Sequence, residues 1–341
     1  MIDRPSVEEF IASNGARIFR LPLEVFPDYM AFAHLVVHDD SATLVDTGSG
    51  FDSSNEDLVA GFAAVRDDFG VDVVLDGLSQ VIITHGHIDH IGGLAFVLSR
   101  ASSALVAAHE LARPVLSDYR QRTLVTQHAL ARFLRIAGVS QTKIEQLLEM
   151  FLLGKQYFRF APLHVALRDG AMVGGTFQVV HVPGHAPGLI MLQIGDVLLT
   201  ADHILPNTSV ALAPEMIMPY TGVGHYLESL EKAERLAGVR VALGGHERPM
   251  HDYYAAAAHS RDNAVKKIDL VRDLCREPRT IAEIACQVYD ALEGYSELLK
   301  LEQIGARVEY LHQRGLLVID NLENLDDPED EAWRFVLAPQ A

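Results

Sequence analysis

Apolar and polar residues alternate along the N-terminal half of the chain in patterns that predict strands and helices. Residues 31–48 form two apolar runs around a polar turn, which predicts a β-hairpin ending near Asp46. Residues 55–70 repeat apolar side chains at helical spacing, and residues 81–83 form a short buried strand. Residues 101–160 are then mostly helical in pattern. The pattern favours a β-rich core covered by helices.

The second half of the chain returns to strands before it becomes helical. Strands are predicted over residues 177–182, 189–193, 196–200 and 239–243, with a helix at about 224–236. We assign residues 1–261, with a helical insertion at about 101–160, to one catalytic domain.

Beyond about residue 262 the pattern is helix, turn and helix. Thr280 followed by Glu283 three residues later is the signature of a capping box. A long amphipathic helix closed by Gly315 and a short apolar strand follow. This outline predicts a winged-helix-like domain over residues 262–341.

Composition restricts the environment and the partners of the protein. The 341 residues exceed what one ordinary core takes and carry 28 Lys and Arg against 46 Asp and Glu, a net charge of -18. Such a charge repels polyphosphate backbones and disfavours nucleic acid as a partner. No run of 18 apolar residues and no charged-then-apolar leader occurs, so we expect a cytoplasmic protein without membrane contact. Cys275 and Cys286 lie far from every histidine cluster, which disfavours disulfide and thiolate metal sites.

The segment VIITHGHIDHIGG, residues 81–93, places three histidines and an aspartate within six positions. His85 and His87 alternate on an extended segment and can face one cation, whereas Asp89 and His90 follow after the chain turns. Imidazole and carboxylate are ligands that zinc, iron and manganese accept at catalytic sites. The spacing therefore predicts two adjacent metal positions.

Three further ligand-type residues occur on loops that follow later predicted strands. His185 lies in HVPGHAPG, Asp202 in LLTADH and His246 in VALGGHERP. Taken singly, the histidines are also typical of turns and the aspartate of a helix cap. Together with the first cluster they complete a set of ligands for two metal ions.

These motifs resemble the metallo-β-lactamase superfamily of hydrolases. The HxHxDH signature of that family stands at residues 85–90, and the resemblance continues through the LVDTG motif ending at Gly48 and the GGH ending at His246. It covers about residues 15–260. The resemblance implies an α/β fold, an αββα sandwich with the metals at one sheet edge.

The resemblance also implies a role for each residue. The first metal would be held by His85, His87 and His185, the second by Asp89, His90 and His246, and Asp202 would bridge them. Asp46 would orient a ligand histidine or the loop beneath it, with a simple strand-end turn residue as the alternative. Two divalent ions, expected to be zinc with iron or manganese as alternatives, would generate a bridging hydroxide as nucleophile at neutral pH. Asp89 would orient it and deliver a proton to the leaving group.

The motifs leave the substrate open, because the family that they resemble hydrolyses thioesters, lactones, β-lactams and phosphodiesters. We predict a small-molecule carbonyl ester, above all a thioester of the glyoxalase II or acyl thioesterase kind. A metal-dependent endoribonuclease or phosphodiesterase is the alternative, since the C-terminal outline resembles a branch with a mitochondrial endoribonuclease-like member. Residues 261–341, however, carry 10 Lys and Arg against 17 Asp and Glu, which is unfavourable for gripping phosphates.

A lactonase or β-lactamase-type activity is a further alternative. The lactonase branch of the family is similar to an Asp-x-x-Tyr pattern at this place. Here Leu205, three residues after Asp202, stands where that pattern has tyrosine. Tyr220 or Tyr226 can supply a substrate-binding phenol instead, with packing as the alternative role. A metal-binding sensor without turnover is disfavoured by the complete ligand set. We expect a homodimer, with the helical insertion acting as a pocket cover or as a dimer interface.

Overall fold

The computed structural model describes residues 5–153, 155, 161–324 and 332–339. The chain forms two compact units, each built from segments that are separated in sequence. The first combines Met1–Tyr119, Tyr157–Val210 and Ser229–Ala258, and the second combines Arg120–Gln156, Ala211–Glu228 and His259–Ala341.

The larger sheet of the first unit has seven strands, which lie side by side in chain order. They are β1 (Glu8–Ile11), β2 (Arg17–Phe26), β3 (Tyr29–His38), β4 (Ser41–Val45), β5 (Gln80–Ile83), β6 (Leu105–His109) and β7 (Val165–Leu167). Strands β1 to β4 are antiparallel to one another, and β4 to β7 are parallel. The carboxyl ends of β4, β5 and β6 therefore lie at the same edge of the sheet.

The smaller sheet of the first unit has five strands in the order β12, β11, β10, β9, β8. These are β8 (Met172–Val173), β9 (Phe177–His181), β10 (Ile190–Ile194), β11 (Val197–Ala201) and β12 (Val241–Gly244). Neighbours are antiparallel except for the parallel pair β11 and β12. The loops after β11 and β12 consequently emerge at the same edge.

Side chains that alternate along the strands build two apolar layers. Ile18 of β2 and Ile82 of β5 join Leu192 of β10 in the layer between the two sheets. On the opposite face of β2, Leu21 packs with Leu58 of helix α1. The period-2 alternation of β2 thus serves both layers at once.

Helices cover the outer faces of both sheets. Helix α1 (Asp52–Phe69) and helix α3 (Leu94–Arg100) belong to the apolar layer on the larger sheet. The part of helix α7 (Val223–Glu234) that belongs to the first unit contacts the smaller sheet, where Lys232 Nζ donates to the His181 carbonyl at 2.8 Å. The expected αββα sandwich is confirmed.

The second unit is mainly helical. In the described residues its helices include α5 (Tyr119–Ile136), α6 (Gln141–Leu153), α9 (Ile281–Val288), α10 (Gly294–Gln313) and most of α8 (Tyr253–Leu274), whereas the short helices α2 (Ile88–Ile91) and α4 (Arg113–Ser117) belong to the first unit. Strands β13 (Leu317–Ile319) and β14 (Phe335–Leu337) pair antiparallel after α10. Within this unit the Ala282 amide, in α9, donates to the Ala137 carbonyl at the end of α5. Segments 120–156 and 211–228 therefore fold together with the C-terminal segment.

Several local predictions agree with the structure, and several strands differ from them. The capping box at Thr280 and Glu283 is present, with both of its hydrogen bonds formed. Strands β1 and β2 were not expected, and β6 lies inside the stretch predicted to be mostly helical. A short apolar run such as that of β6 has no decisive periodicity, because strand pairing rather than local pattern selects its conformation. The assignment of residues 262–341 to a winged-helix-like domain stays a prediction.

None of the helices in the described residues has the length and apolar character needed to cross a membrane. The cytoplasmic location and the homodimer stay predictions.

Helix α10 contains Gly305 where it packs closely on α5. A methyl group at this position would clash with the ring of Phe133 and lie 3.0 Å from Cγ of Pro214. Overpacking costs about 1–3 kcal/mol, more than the ~1 kcal/mol that alanine gains over glycine in a helix. Gly305→Ala should therefore lower the thermal midpoint of unfolding.

Gly224→Ala is the matched control for this prediction. The nearest atoms to a methyl group at Gly224 are side-chain atoms of Arg314 and Tyr310, at the ordinary distance of 3.6 Å or more. Its thermal midpoint should equal or exceed that of the wild type. A Gly305→Ala protein as stable as this control would contradict the close packing of α5 and α10.

Candidate metal centre

The ligand-type side chains lie on loops that follow strands at one edge of the sandwich. His85 and His87 follow β5, while Asp89 and His90 lie in the short helix α2 that comes next. The other three sit on the loops after β9, β11 and β12: His185, Asp202 and His246. The structure brings all seven predicted ligands together.

The seven side chains form two groups, each compact enough for one metal ion. One group is His85, His87 and His185, and the other is Asp89, His90, Asp202 and His246. Within each group the candidate ligand atoms lie within 4.8 Å of one another, and His85 Nε2 is 3.1 Å from His87 Nδ1. Ligands at the Zn–N distance of about 2.0–2.1 Å in a tetrahedron stand ~3.3 Å apart. The spacing of these atoms therefore suits a transition-metal ion.

Asp202 lies between the two groups. Its Oδ2 is 3.4 Å from Nε2 of both His90 and His246, in its own group. The same oxygen is 3.9 Å from Nε2 of His85 and 3.7 Å from Nε2 of His185, in the other group. One carboxylate oxygen thus faces imidazoles of both groups.

Asp46 holds the signature loop from below. Its Oδ1 accepts a hydrogen bond from the Thr84 amide at 2.8 Å, and its Oδ2 accepts one from the Thr84 hydroxyl at 2.7 Å. His90 Nδ1 lies 2.8 Å from Oδ2 of Asp46, so that the Nε2 of His90 is directed to the cluster. The hydrogen bonds expected of Asp46, to a ligand-type histidine and to its loop, are both present.

The loop of His246 is held in a comparable way. His246 Nδ1 lies 2.8 Å from the Met30 carbonyl, and the Phe32 amide donates to the Gly245 carbonyl at 2.8 Å. A methyl group at Gly245 would lie 2.5 Å from Oδ1 of Asp202 and 2.6 Å from Cε1 of His90. Glycine is needed at this position because the backbone passes directly against the cluster.

Buried polar atoms test whether a cation fits this site. Within the described residues, His90 Nε2, His246 Nε2 and Asp202 Oδ1 are buried and make no hydrogen bond of acceptable geometry. Leaving such an atom unsatisfied costs about 1–3 kcal/mol. A cation among them would satisfy all three, so the donor set fits a metal ion.

Comparison with known protein families shows the family of the chain. A family model described as the metallo-beta-lactamase superfamily matches residues 27–246, which is more than half of the chain. The chain belongs to the metallo-beta-lactamase superfamily. The expectation of a metal-dependent hydrolase with this fold is thereby confirmed.

Known relatives extend the similarity beyond the matched segment. The probable metallo-hydrolase YqjP of Bacillus subtilis (strain 168) is 24% identical over 292 residues, which cover 81% of this chain and 86% of the relative. A metallo-beta-lactamase family protein from Thermus thermophilus has a TM-score of 0.75 at 21% identity, covering 94% of this chain and 98% of that one. A beta-lactamase domain protein from Burkholderia ambifaria has a TM-score of 0.70 at 21% identity, covering 99% and 98%. These structural likenesses show the fold of nearly the whole chain.

The electrostatics of this site favour neutral imidazole at His85 of the first group and ion pairs in the second group. Burial, and then His90 and His87, lower the pKa of His85 well below its usual value. Burial also opposes protonation of His90, but Asp202, Asp89 and Asp46 raise its pKa well above the usual value. Burial acts against ionisation of Asp89, yet His90 and His246 lower its pKa to about 2. A cation bound by the second group must therefore displace protons from imidazole, and its binding strengthens as the pH rises.

A tyrosine that sequence reasoning missed lies beside this site. The ring of Tyr29, at the turn between β2 and β3, is centred 4.9 Å from the ring of His246 and is 48% exposed. Tyr29 also lies near the ring of Phe26, which in turn contacts Phe51. No local motif marks this tyrosine, because its place depends on the contact of β3 with the loop after β12.

The two tyrosines predicted for the substrate pocket belong to the second unit. Tyr220 is half exposed and has a φ of 66°, and its ring is centred 5.8 Å from that of His225. Tyr226 is buried in α7, and burial raises the pKa of its phenol. Their role in substrate binding stays a prediction.

Asp46→Asn should weaken zinc binding while the fold persists. Oδ2 of Asp46 accepts hydrogen bonds from His90 Nδ1 and from the Thr84 hydroxyl, and an amide nitrogen in its place cannot accept them. The orientation of His90 is therefore lost. Partners of this kind are typically worth about 10- to 100-fold in metal affinity. Competition for zinc against a chromogenic chelator measures the change.

Asp196→Asn is the control for this variant. Its carboxylate also accepts from a backbone amide, that of Ser13 at 2.8 Å, and from a side chain, Arg240 Nε at 2.6 Å. Asp196 lies at the turn before β11, and zinc affinity should not change. Equal losses in the two variants would argue against a specific action of Asp46 on the metal site.

Proposed function

We propose that the protein hydrolyses a carbonyl ester, with thioesters as the leading substrate class, at a centre of two zinc ions. The observation that carries the proposal is the position of Asp202, whose Oδ2 faces two imidazoles of each group within 3.9 Å. A single tetrahedral ion uses only four ligands, whereas seven side chains converge here. Two ions, one in each group and both facing Asp202, would use the whole set.

The residues of the site have separate tasks in this proposal. Two divalent cations there would polarise the substrate carbonyl and lower the pKa of a water, so that hydroxide is available at neutral pH. Oδ2 of Asp89 lies 3.3 Å from Nε2 of His246 and 3.8 Å from Nε2 of His90. At that place Asp89 accepts the proton of the attacking water and passes it to the leaving group.

The charge of the chain supports an ester of low charge as substrate. A net charge of -18 slows the encounter with a polyanion, most strongly at low ionic strength. A neutral or monoanionic thioester avoids this repulsion. Fold and ligands alone do not distinguish the ester from a phosphodiester.

Metal analysis and a substrate panel test the proposal together. Protein reconstituted with excess zinc should hold two ions per chain, lose activity on chelation and hydrolyse thioesters faster than lactones, β-lactams or phosphodiesters. Asp89→Asn should lower turnover by about 100- to 10,000-fold, the range typical of a lost general acid or base. Zinc content of that variant must be measured in parallel, because Asp89 belongs to the ligand set.

Two results would contradict different parts of this proposal. A zinc-saturated protein with one ion or none would contradict the two-ion centre. Efficient cleavage of single-stranded RNA or another phosphodiester at physiological salt, without turnover of any thioester or lactone, would replace the ester by the nuclease alternative.

Tyr29 is proposed to contact the substrate. Its ring lies against His246 and remains 48% exposed, so the phenol is accessible at the site. Burial of the rest of the ring raises the pKa of the phenol, opposed by His246 and reinforced by Asp89. The hydroxyl therefore stays protonated and can donate a hydrogen bond to an ester oxygen.

Tyr29→Phe should lower kcat/KM by about 10-fold, the cost of one lost hydrogen bond to the reacting substrate. Zinc content should stay at the wild-type value, because Tyr29 is not among the ligands. Tyr254→Phe is the control: this tyrosine is 43% exposed and donates to the Leu236 carbonyl away from the ligand set. A Tyr29→Phe enzyme as active as Tyr254→Phe would remove Tyr29 from the substrate site.

A further inference from the structure

Strand β2 carries an arginine that is almost completely buried. Arg20 is 2% exposed, and its guanidinium lies 3.2 Å from the centre of the Phe32 ring. One terminal nitrogen contacts the Glu8 carboxylate at 3.1 Å, and the other donates to the Glu247 carbonyl. Nε of Arg20 has no hydrogen-bond partner in the described part of the chain.

Stability alone does not explain a charge at this place. Burial lowers the pKa of Arg20 to about 10, while Glu8 acts in the opposite direction, so the side chain is a cation at neutral pH. The side chain of its partner Glu8 is 42% exposed, so this ion pair offsets only part of the cost of burying the guanidinium. The buried charge of Arg20 therefore points to a function in the contacts that it makes.

The main contact of Arg20 is with the backbone next to a metal ligand. Glu247 directly follows His246 and has a φ of 61°, a left-handed conformation that is strained for a residue other than glycine. The Glu247 carboxylate accepts hydrogen bonds from Asn207, from the amide at 2.8 Å and from Nδ2 at 2.9 Å. Arg20 thus holds the carbonyl of Glu247 and Asn207 its carboxylate, and these contacts keep the strained peptide after His246 in one conformation.

The same strand contains a natural comparison for Arg20. Arg17 also pairs with a glutamate of β1, Glu9, and also donates to a carbonyl, that of Phe69 at 3.2 Å. Phe69, however, is the last residue of α1 and not a neighbour of any ligand. The two arginines share their chemistry and differ in what they hold.

We propose that Arg20 is a positioning residue for the metal group of Asp89, His90, Asp202 and His246, and that it acts through the Glu247 carbonyl on the His246 loop. This inference rests on the proposed two-ion centre. A charge-assisted hydrogen bond from a planar guanidinium fixes both distance and direction, which a neutral or flexible donor does not.

The experiment compares Arg20→Met, Arg20→Lys and Arg17→Met with the wild type, all reconstituted with zinc. Arg20→Met should weaken the binding of one of the two ions by about 10- to 100-fold, as loss of an outer partner of a ligand does. Arg20→Lys should recover part of that affinity, because it keeps the charge near Glu8 but not the fork geometry. Arg17→Met should bind both ions as the wild type does.

Cobalt substitution gives a readout that a purely structural effect does not move. The visible absorption of bound cobalt reports the ligand geometry of each ion, so the Arg20 variants should change the signal of one ion and leave the other. Thermal midpoints measured in parallel should separate this effect from unfolding. If Arg20→Met does not fold, the comparison of Arg20→Lys with Arg17→Met decides the same question.

The outcomes separate this inference from the function on which it rests. A wild type that holds fewer than two ions would overturn the two-ion centre and the inference with it. Two tightly bound ions in the wild type, with unchanged affinity and cobalt spectra in the Arg20 variants, would overturn the inference alone. An equal loss in Arg17→Met would also overturn it, since the effect would then be general to β2.

Discussion

Three carboxylates, those of Asp46, Asp89 and Asp202, are withdrawn from water at one edge of the sandwich, and their charge must be balanced there. Imidazoles supply that balance: His90 lies 2.8 Å from Asp46 and 3.4 Å from Asp202. A buried charge without a partner costs several kcal/mol, on the order of the whole stability margin of a domain. The surrounding loops therefore have to deliver carboxylates and imidazoles as one set, and metal binding replaces the protons that otherwise hold this set together.

The backbone at the strand ends is shaped for the same purpose. Asp46, Ala201 and Glu247 all have positive φ angles, of 62°, 46° and 61°, although none is a glycine. The first is itself part of the site, and the other two adjoin Asp202 and His246. Conformations of this kind cost about 1–3 kcal/mol each and persist only where neighbouring contacts over-determine them. Hydrogen bonds from other strands provide that support, as with the Thr84 amide to Asp46 at 2.8 Å.

The second unit shows how segments remote in sequence become one packed body. The end of α5 meets the start of α9, where a methyl group at Gly138 would lie 3.0 Å from Cβ of Thr280. The Trp333 amide donates to the Ile136 carbonyl at 3.0 Å, so the last described strand segment joins the same junction. These contacts bring together segments that are more than a hundred residues apart in the chain. Helices α5 and α9, considered alone, each look like an ordinary amphipathic helix.

The sequence alone determined the features that depend on local pattern. The HxHxDH spacing was recognisable by itself as a metal motif. His185, Asp202 and His246, each also typical of a turn or a cap, became recognisable as ligands only together with that motif and the family resemblance. The capping box at Thr280 was equally readable, since its hydrogen bonds span only three residues.

Tertiary structure decided what depends on pairing between distant strands. The loop after β12 lies against β2 and β3 of the other sheet, and this contact places His246 beside Tyr29 and Glu247 beside Arg20. Arg17 and Arg20 lie on opposite faces of β2, and only the packed structure shows that one holds the end of a helix and the other the loop of a ligand-type histidine. The reason is that sheet register is a global property, so no short window of residues contains the information that sets these contacts.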